Sequence, residues 1–517
     1  MCGREFFITF AAMFYRYLIG IVLSMTSVLC AAQGEQPDSL TAPPASSERS
    51  DSIYRYSVEL NGAASTGEHT PFWLANNRFG LSSIKKTNGY LRASFFREER
   101  RDKPFSWDFG VDLAVAGGYT STFIIQQLYG AVHYRCLDLS IGSRESTSGM
   151  VNPELSSGDL LFSANARPIP QARLGIERYT YIPWTKNLLA VKGYISLGAF
   201  TDQDWQYTAV GPSGRRSKHV LFHSKGLFLR WGNPDRSPIT VEGGLEMAAQ
   251  WGGTIYLPDG QVIKMGHGLK DLWKIIVPTG ADQTGNPTLA GEVSNVAGNH
   301  VGQWSAAVGY HKKGSPWGAR VYYEHFFEDH SMMFFDYVWK DMLLGVEIDL
   351  PDNPVVSKFV YEYINTRDQA GPVYWDHTPE IPEQVSGQDE YYNHAFYPGW
   401  QHWGMGIGNP LLISPVYNTD GTLEFRHNRI KGHHFGWQGS PLPSLQYRVL
   451  LSLTRSWGSY PLPTPEVERN FNALLELTWS PARLNGWRGR LGIGADGGGL
   501  LGRSFGAMLT ISKTGWL

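Results

Sequence analysis

The chain has 517 residues with 45 basic and 47 acidic side chains, so its formal net charge at pH 7 is only −2. A balance this close to zero excludes bulk electrostatic attraction to nucleic acid as the basis of function. Aromatic residues make up 13% of the chain, and there are 58 glycines. This combination favours a large β protein, because glycine serves turns and bulges while Trp and Tyr collect at interfaces.

The N-terminus has the pattern of a secretory signal peptide. Arg16 precedes an apolar run over Leu18–Val28, and small residues at positions 30–32 offer a cleavage site. The apolar run is too short to span a bilayer comfortably. We therefore expect residues 1–32 to be a signal peptide, and residues 33–52, which are polar and rich in Pro and Ser, to be a flexible leader.

From Tyr56 to the C-terminus, apolar residues recur at every second position in segments of strand length. A period of two places apolar side chains on one face of a strand and polar side chains on the other. With weaker segments included, we count about eighteen strands, an even number as expected for a single-chain barrel with both termini in the periplasm. They begin near residues 56, 91, 108, 127, 137, 160, 189, 226, 239, 303, 319, 341, 357, 423, 445, 471, 491 and 505.

The connections between the predicted strands alternate in length. Those on the side of Tyr56 are mostly short, such as residues 135–136 and 351–356, whereas the opposite set includes residues 250–302 and 366–422. This asymmetry is typical of outer-membrane barrels, whose surface loops carry function while periplasmic turns only reverse the chain. We therefore place the long loops outside the cell.

A soluble β-sandwich would also show alternation, but many of these strands pair a charged face with an almost wholly apolar one. Because hydrocarbon tolerates no unpaired backbone groups, an apolar outward face requires a closed barrel. The predicted fold class is thus all-β: a transmembrane antiparallel β-barrel over residues 53–517, in the lipid of the bacterial outer membrane. The polar face would line the lumen with charges of both signs, at Arg144, Arg173, Glu177, Arg230, Glu242 and Glu246.

The C-terminal segment Ser504–Ile511 alternates in the same way and is similar to the terminal strand that barrel-insertion machinery recognises. A barrel of eighteen strands is wide enough for an aqueous channel unless something plugs it. Two candidates for a plug are the amphipathic segment Leu269–Val277 and the long surface loops, if they fold inward. The sequence leaves both open.

The most distinctive surface loop covers residues 373–417, where aromatic side chains are mixed with Asn, Gln, His and Asp. This mixture suits sugars, because rings stack on apolar C–H faces while amides and carboxylates bind hydroxyls. Alternatively, these aromatics pack the loop against itself or lie at the membrane rim. The residues expected to contact glycan are Tyr374, Trp375, Tyr391, Tyr392, Trp400, His402 and Trp403.

Two motifs of common enzymes are absent from the sequence: there is no HExxH and no Walker pattern. We therefore expect a protein that is not an enzyme and holds no cofactor or metal. A surface glycoside hydrolase is an alternative, with Asp202 and Asp204 or Asp376 and Glu380 as its carboxylates, but their spacing in sequence does not fix their separation.

Leu160–Ile176, which contains SANARPIPQARLGI, resembles a segment of the Wzi family of capsule-assembly outer-membrane proteins. Glu242–Gly253 and Tyr391–Pro410 resemble the branch of that family found in Bacteroides-like bacteria, and the similarity covers most of residues 56–517. The resemblance implies an eighteen-stranded lectin, without enzymatic activity, that helps assemble or anchor capsular or extracellular polysaccharide at the cell surface.

A porin-like channel for small solutes or oligosaccharides is the alternative function. Better-known enterobacterial members of the family plug the barrel with a periplasmic helical bundle near the N-terminus. Residues 33–51 are too polar and Pro-rich to form such a bundle.

Overall fold

The computed structural model describes residues 53–99, 103–147, 150–277, 298–328, 339–374, 385–388 and 390–517. The expected signal peptide and leader lie outside this range. Eighteen of the described strands form one sheet. They are β1 (Tyr54–Gly67), β2 (Thr87–Arg97), β3 (Phe105–Gly117), β4 (Phe123–Tyr134), β5 (Leu137–Ser143), β6 (Gln171–Tyr181), β7 (Leu189–Ala199), β8 (Leu221–Trp231), β9 (Ile239–Trp251), β10 (Asn299–His311), β11 (Gly318–Glu328), β12 (Met342–Asp349), β13 (Lys358–Asn365), β14 (Ile430–Leu442), β15 (Leu445–Gly458), β16 (Pro463–Trp479), β17 (Trp487–Gly498) and β18 (Ser504–Trp516).

Each strand pairs antiparallel with its neighbours in sequence, and β1 also pairs with β18, with Leu60 opposite Leu91 on one side and Ile511 on the other. The sheet therefore closes on itself and leaves no edge whose backbone groups lack partners. The predicted all-β antiparallel barrel of about eighteen strands is confirmed. Both of its terminal strands end on the same rim, where Arg55 lies opposite Trp516.

The outer face of the barrel is apolar along its middle and aromatic near its rims. The exposed aliphatic side chains include Val58, Leu60, Leu128, Val132, Val308, Val321, Leu453 and Leu509. Exposed tryptophans near the rim with short turns are Trp184, Trp231, Trp317, Trp479, Trp487 and Trp516, and Phe123, Phe471 and Phe505 lie near the opposite rim. A closed barrel with an apolar band between two aromatic girdles is built for lipid. The protein is an outer-membrane β-barrel.

Two predicted strands were misplaced. The sixth was expected to start at Leu160 but begins at Gln171, and the fourteenth was expected over Leu423–Lys431 but is Ile430–Leu442. In both cases the preceding apolar residues lie inside the barrel, since the side chains of Leu160 and Phe425 are buried. An apolar residue that packs in the lumen resembles, in sequence, one that faces lipid.

Three surface-side connections fold into the lumen and form what we call the plug, residues 69–82, 150–169 and 391–428. One continuous apolar cluster includes side chains from all three segments, among them Trp73, Leu161 and Trp400. Trp73 reaches the wall, where its Nε1 donates a hydrogen bond to Ser452 Oγ at 3.2 Å and its ring lies 5.2 Å from that of His434. Of the two candidates, the inward-folded loops fill the barrel.

Three α-helices are described: α1 (Phe72–Ala75), α2 (Gln203–Val210) and α3 (Leu269–Ile276). Among the described residues, no helix has the length and apolar character needed to cross a membrane. The helix α3, the other candidate plug, packs Ile275 against Trp251 at the end of β9 and exposes Trp273. It therefore covers a strand end and leaves the lumen to the loops.

Carboxylates on the inner wall hold the plug in place. Glu362 on β13 accepts hydrogen bonds from Ser156 Oγ at 2.5 Å and from the Ser157 N–H at 2.7 Å. Glu324 on β11 accepts the Leu160 N–H at 3.0 Å. A buried donor that loses its acceptor costs about 1–3 kcal/mol, so these wall glutamates fix the register of the plug.

Candidate functional site

A two-residue turn at the end of the plug presents Trp403. Gln401 pairs with Gly406 and His402 with Met405, so Trp403 and Gly404 form the loop of a small hairpin. Their φ angles are +57° and +82°, both positive, as a type I′ turn requires. Glycine adopts this conformation without cost, but a bulky residue such as Trp is rarely found there.

Buried polar groups hold this strained turn. Asp202, which is 1% exposed, accepts hydrogen bonds from the Trp403 N–H at 3.2 Å and from Gln401 Nε2 at 3.1 Å. Gln401 Oε1 in turn accepts the Gly404 N–H at 2.7 Å. A residue in a sparsely populated backbone region persists only when its surroundings over-determine it, and these bonds supply that constraint.

The side chain of Trp403 is fixed as well. Its Nε1 donates to Thr201 Oγ1 at 3.2 Å, and the guanidinium of Arg167 lies 4.5 Å from its ring centroid. Burial lowers the pKa of Arg167 to about 10, which leaves it charged at neutral pH. The indole is only partly buried, so a rigid aromatic plane lies beside a cation and a hydroxyl. We call this group (Arg167, Thr201, Asp202, Gln401 and Trp403) the Trp403 platform.

Four of the other residues expected to contact glycan are buried. Tyr391, Tyr392, Trp400 and His402 are at most 1% exposed. In this structure they pack the plug; Trp400 Nε1, for example, donates to the Leu161 carbonyl at 3.1 Å. Tyr374 ends the short strand Ala370–Tyr374, and Trp375 lies outside the described residues. Their contact with glycan stays a prediction.

His402 joins the end of β7 to the plug. Its Nδ1–H donates to the Arg167 carbonyl at 2.9 Å, while Nε2 accepts from Thr201 Oγ1 at 3.0 Å and from the Thr201 N–H at 3.3 Å. This arrangement suits the neutral imidazole, which has one donor and one acceptor. Burial lowers the pKa of His402 below its ordinary value of 6.5.

The pKa of His402 predicts an acid-sensitive platform. Because the folded state disfavours its protonated form, the unfolded chain binds more protons, and stability is lost as the pH falls below about 6.5. His402→Gln keeps one donor and one acceptor but does not titrate, so we expect its melting temperature to fall less than the wild-type value on acidification. The measurement is thermal unfolding in detergent across this pH range; equal slopes for both proteins would contradict it.

Two of the four carboxylates considered for hydrolysis, Asp202 and Asp204, lie within the described residues. Asp202 Oδ1 accepts a hydrogen bond from Gln206 Nε2 at 3.0 Å, and Oδ2 holds the Trp403 turn. Asp204 lies in the first turn of α2. Asp376 and Glu380 lie outside the described residues. The sequence did not single out Arg167 or Thr201 for the platform, although Arg167 falls within the SANARPIP block.

The charged residues predicted for the lumen form pairs along the inner wall. Arg173 binds both carboxylate oxygens of Glu177, at 2.5 and 2.9 Å, and Arg230 Nε lies 3.2 Å from Glu242 Oε1. Arg144 also pairs with Asp108, at 3.4 Å, and the hydroxyl of Tyr194 donates to Glu246. These pairs cross-link neighbouring parts of the inner wall.

An aromatic layer separates the Trp403 platform from a cavity. The ring of Phe200 lies 5.7 Å from that of His402 and 5.9 Å from that of Phe222, and Phe222 stacks on Trp400 with centroids 6.2 Å apart. Phe222 also lines a cavity of about 180 Å³ between the plug and the wall of β6–β9. Arg167 belongs to both places, because it lines the cavity and stacks on Trp403.

Comparison with known proteins relates the fold to solved barrels. No protein-family model matches the chain, and no curated protein matches it either. Among solved structures, the chain is similar to Wzi of Escherichia coli, an outer-membrane protein involved in group 1 capsule assembly and described as a carbohydrate-binding β-barrel. The identity is 15%, the TM-score is 0.54, and the match covers 90% of this chain and 85% of Wzi.

Two further solved structures give weaker matches. OccAB2 of Acinetobacter baumannii has 8% identity and a TM-score of 0.46, with 90% of this chain and 98% of that chain covered. OccK5 (OpdH) of Pseudomonas aeruginosa has 10% identity and a TM-score of 0.43, with 89% and 97% covered.

Proposed function

We propose that this protein is a surface lectin of the Wzi type, which helps assemble or anchor capsular or extracellular polysaccharide at the outer membrane. The observation that carries the proposal is the Trp403 platform, a partly exposed indole in a left-handed turn held by buried hydrogen bonds. A bulky residue in this backbone region costs about 1–3 kcal/mol. Such strain is concentrated at functional sites, which supports a role for this side chain beyond packing.

The chemistry of the platform suits a sugar. The indole offers a face on which the apolar C–H side of a pyranose stacks, and the guanidinium of Arg167 beside it offers donors to hydroxyl or carboxylate oxygens. Because Thr201 and Arg167 fix the ring before binding, little conformational entropy is lost when a sugar docks. A repeated weak contact of this kind suits a polymer, whose many units add avidity.

The filled lumen supports adhesion over conduction. The plug places a continuous apolar cluster across the inside of the barrel, with Trp73, Leu161 and Phe425 among its buried members. An eighteen-strand barrel without such a filling would hold a water channel. Under this proposal the partners are polysaccharide, outer-membrane lipid and the insertion machinery that would recognise β18, and the protein catalyses no reaction and needs no cofactor.

Trp403→Ala tests the proposal. Loss of the stacking surface is expected to weaken binding of the purified barrel to the polysaccharide of its own cell by about tenfold, since central aromatic contacts carry much of the energy of an interface. The measurement is retention of polysaccharide on immobilised protein, together with a glycan array to identify the sugar. Because Trp403 is partly exposed, the melting temperature should stay close to the wild-type value.

Trp273→Ala is the matched control, since it removes an exposed tryptophan from α3, outside the platform. It should leave retention unchanged. Undiminished retention by the Trp403 variant would remove the assignment of this turn as the lectin site.

A further inference from the structure

The cavity beneath the Trp403 platform has a lining that points to a ligand of its own. Four cationic side chains face it, against two carboxylates, Glu177 and Glu246. The cations are Arg144, Arg167, Arg173 and Lys192. The lining therefore carries more positive than negative formal charge, and in a partly enclosed space with low-dielectric walls this favours an anionic group.

Side chains from neighbouring strands contact one another in the wall of the cavity. Gly226 on β8 has no side chain, so the ring of Tyr194 on β7 lies across it and its hydroxyl reaches Glu246 on β9. Arg173, on the neighbouring strand β6, places its guanidinium 3.3 Å from the centroid of the Tyr194 ring. Neighbouring strands thus present charge and ring faces as one preorganised surface.

Two acceptors on residues that line the cavity have no hydrogen-bond partner within the part of the chain that the structure describes. They are Glu246 Oε2, on a side chain that is 4% exposed, and Gln171 Oε1. A buried acceptor without a partner costs about 1–3 kcal/mol. Hydroxyl groups of a bound molecule would supply the donors that these oxygens lack.

The size of the cavity limits what it can take. At about 180 Å³ it has room for about six waters at ~30 Å³ each, which is the scale of one sugar ring and too small for a polymer segment. Phe222 and Phe228 add apolar surface to its lining. We propose that this cavity is a binding site for one acidic sugar unit, a hexuronate, whose carboxylate lies near Lys192 and Arg173 while its hydroxyls donate to Glu246 and Gln171.

The test uses the whole mature barrel in detergent micelles and titrates sodium glucuronate, with glucose and sodium phosphate as separate probes, by calorimetry. Glucuronate should bind roughly tenfold or more tightly than either control, because neither glucose nor phosphate offers both a carboxylate and ring hydroxyls. Equal binding of glucose, equal binding of phosphate, or no binding of glucuronate would each overturn the proposal.

Two variants are expected to change the affinity for glucuronate in opposite directions. Lys192→Met should weaken glucuronate binding by about tenfold, whereas Glu246→Gln, which keeps an acceptor but removes a negative charge, should strengthen it. Lys313→Met makes the same change at a turn outside the cavity, where the side chain is 73% exposed, and should have no effect. If neither cavity variant changes the affinity, the site is elsewhere.

The proposal does not rest on the lectin role. Trp403→Ala separates the two, because Lys192 and Arg173 are the cations assigned to the carboxylate, whereas Arg167 is the one that stacks on Trp403. That variant should leave glucuronate binding intact even where it abolishes retention of polysaccharide. Loss of glucuronate binding in the Trp403 variant would place the acidic sugar at the surface platform and refute the cavity site.

Discussion

Trp400→Ala is expected to lower the free energy of unfolding by about 3–5 kcal/mol, the usual cost of truncating a fully buried Trp in a core. The Trp400 ring is fully buried, lies 6.0 Å from Phe162 and stacks on Phe222 at 6.2 Å. Its Nε1 also donates to the Leu161 carbonyl, which would lose its partner. The variant would leave a large void at the centre of the plug, between two of its three segments.

The measurement is urea-induced unfolding in lipid, paired with conductance in planar bilayers. Wild-type protein should show little steady conductance, because the plug fills the lumen, and Trp400→Ala should conduct more as the plug loosens. Trp403→Ala is the matched control, since it truncates a tryptophan three residues away that is only partly buried. Equal stability of the two variants would mean that Trp400 does not hold the plug as the contacts indicate.

Glu362→Ala is expected to destabilise the plug by about 3 kcal/mol or more, because three donors lose a charged acceptor and each orphaned buried donor costs about 1–3 kcal/mol. The donors are Ser156 Oγ, the Ser157 N–H and the hydroxyl of Tyr322, at 2.5, 2.7 and 2.5 Å. Glu362 lies on β13, so the change loosens the plug around Ser156 and Ser157 and leaves the hydrogen bonds between strands intact.

Limited proteolysis of the folded barrel measures this effect, with cleavage expected within residues 150–169. Glu362→Gln keeps an acceptor oxygen, so its plug should lose less of its resistance to protease than that of Glu362→Ala. Glu466→Ala changes an exposed position on β16 and should behave as wild type. A Glu362→Ala protein whose plug resists protease as well as the wild type would show that the other contacts suffice.

The barrel itself could be predicted from the sequence because its signal is local. Each strand alternates apolar and polar residues, and lipid selects the apolar face without reference to any other part of the chain. The strand number, the short turns on one rim and the closure by β18 all follow from this alternation. The prediction of strands failed at Leu160 and Leu423, where the apolar residues are buried in the plug. A local pattern cannot show whether an apolar residue faces lipid or a partner inside the lumen.

Only the tertiary structure decided which aromatic side chains of the long loop are buried and which is exposed. Trp400 and Trp403 are three residues apart in the same polar and aromatic stretch, and stacking on a sugar and packing in a core demand the same side chain. What separates them is contact with distant residues: Leu161 receives the Trp400 indole, while Asp202 and Thr201 hold Trp403 in its turn. By itself the sequence determined a lipid-facing barrel, because lipid acts on each strand separately. Only the folded chain decided which rings fill that barrel and which one is displayed, because those contacts join segments about two hundred residues apart.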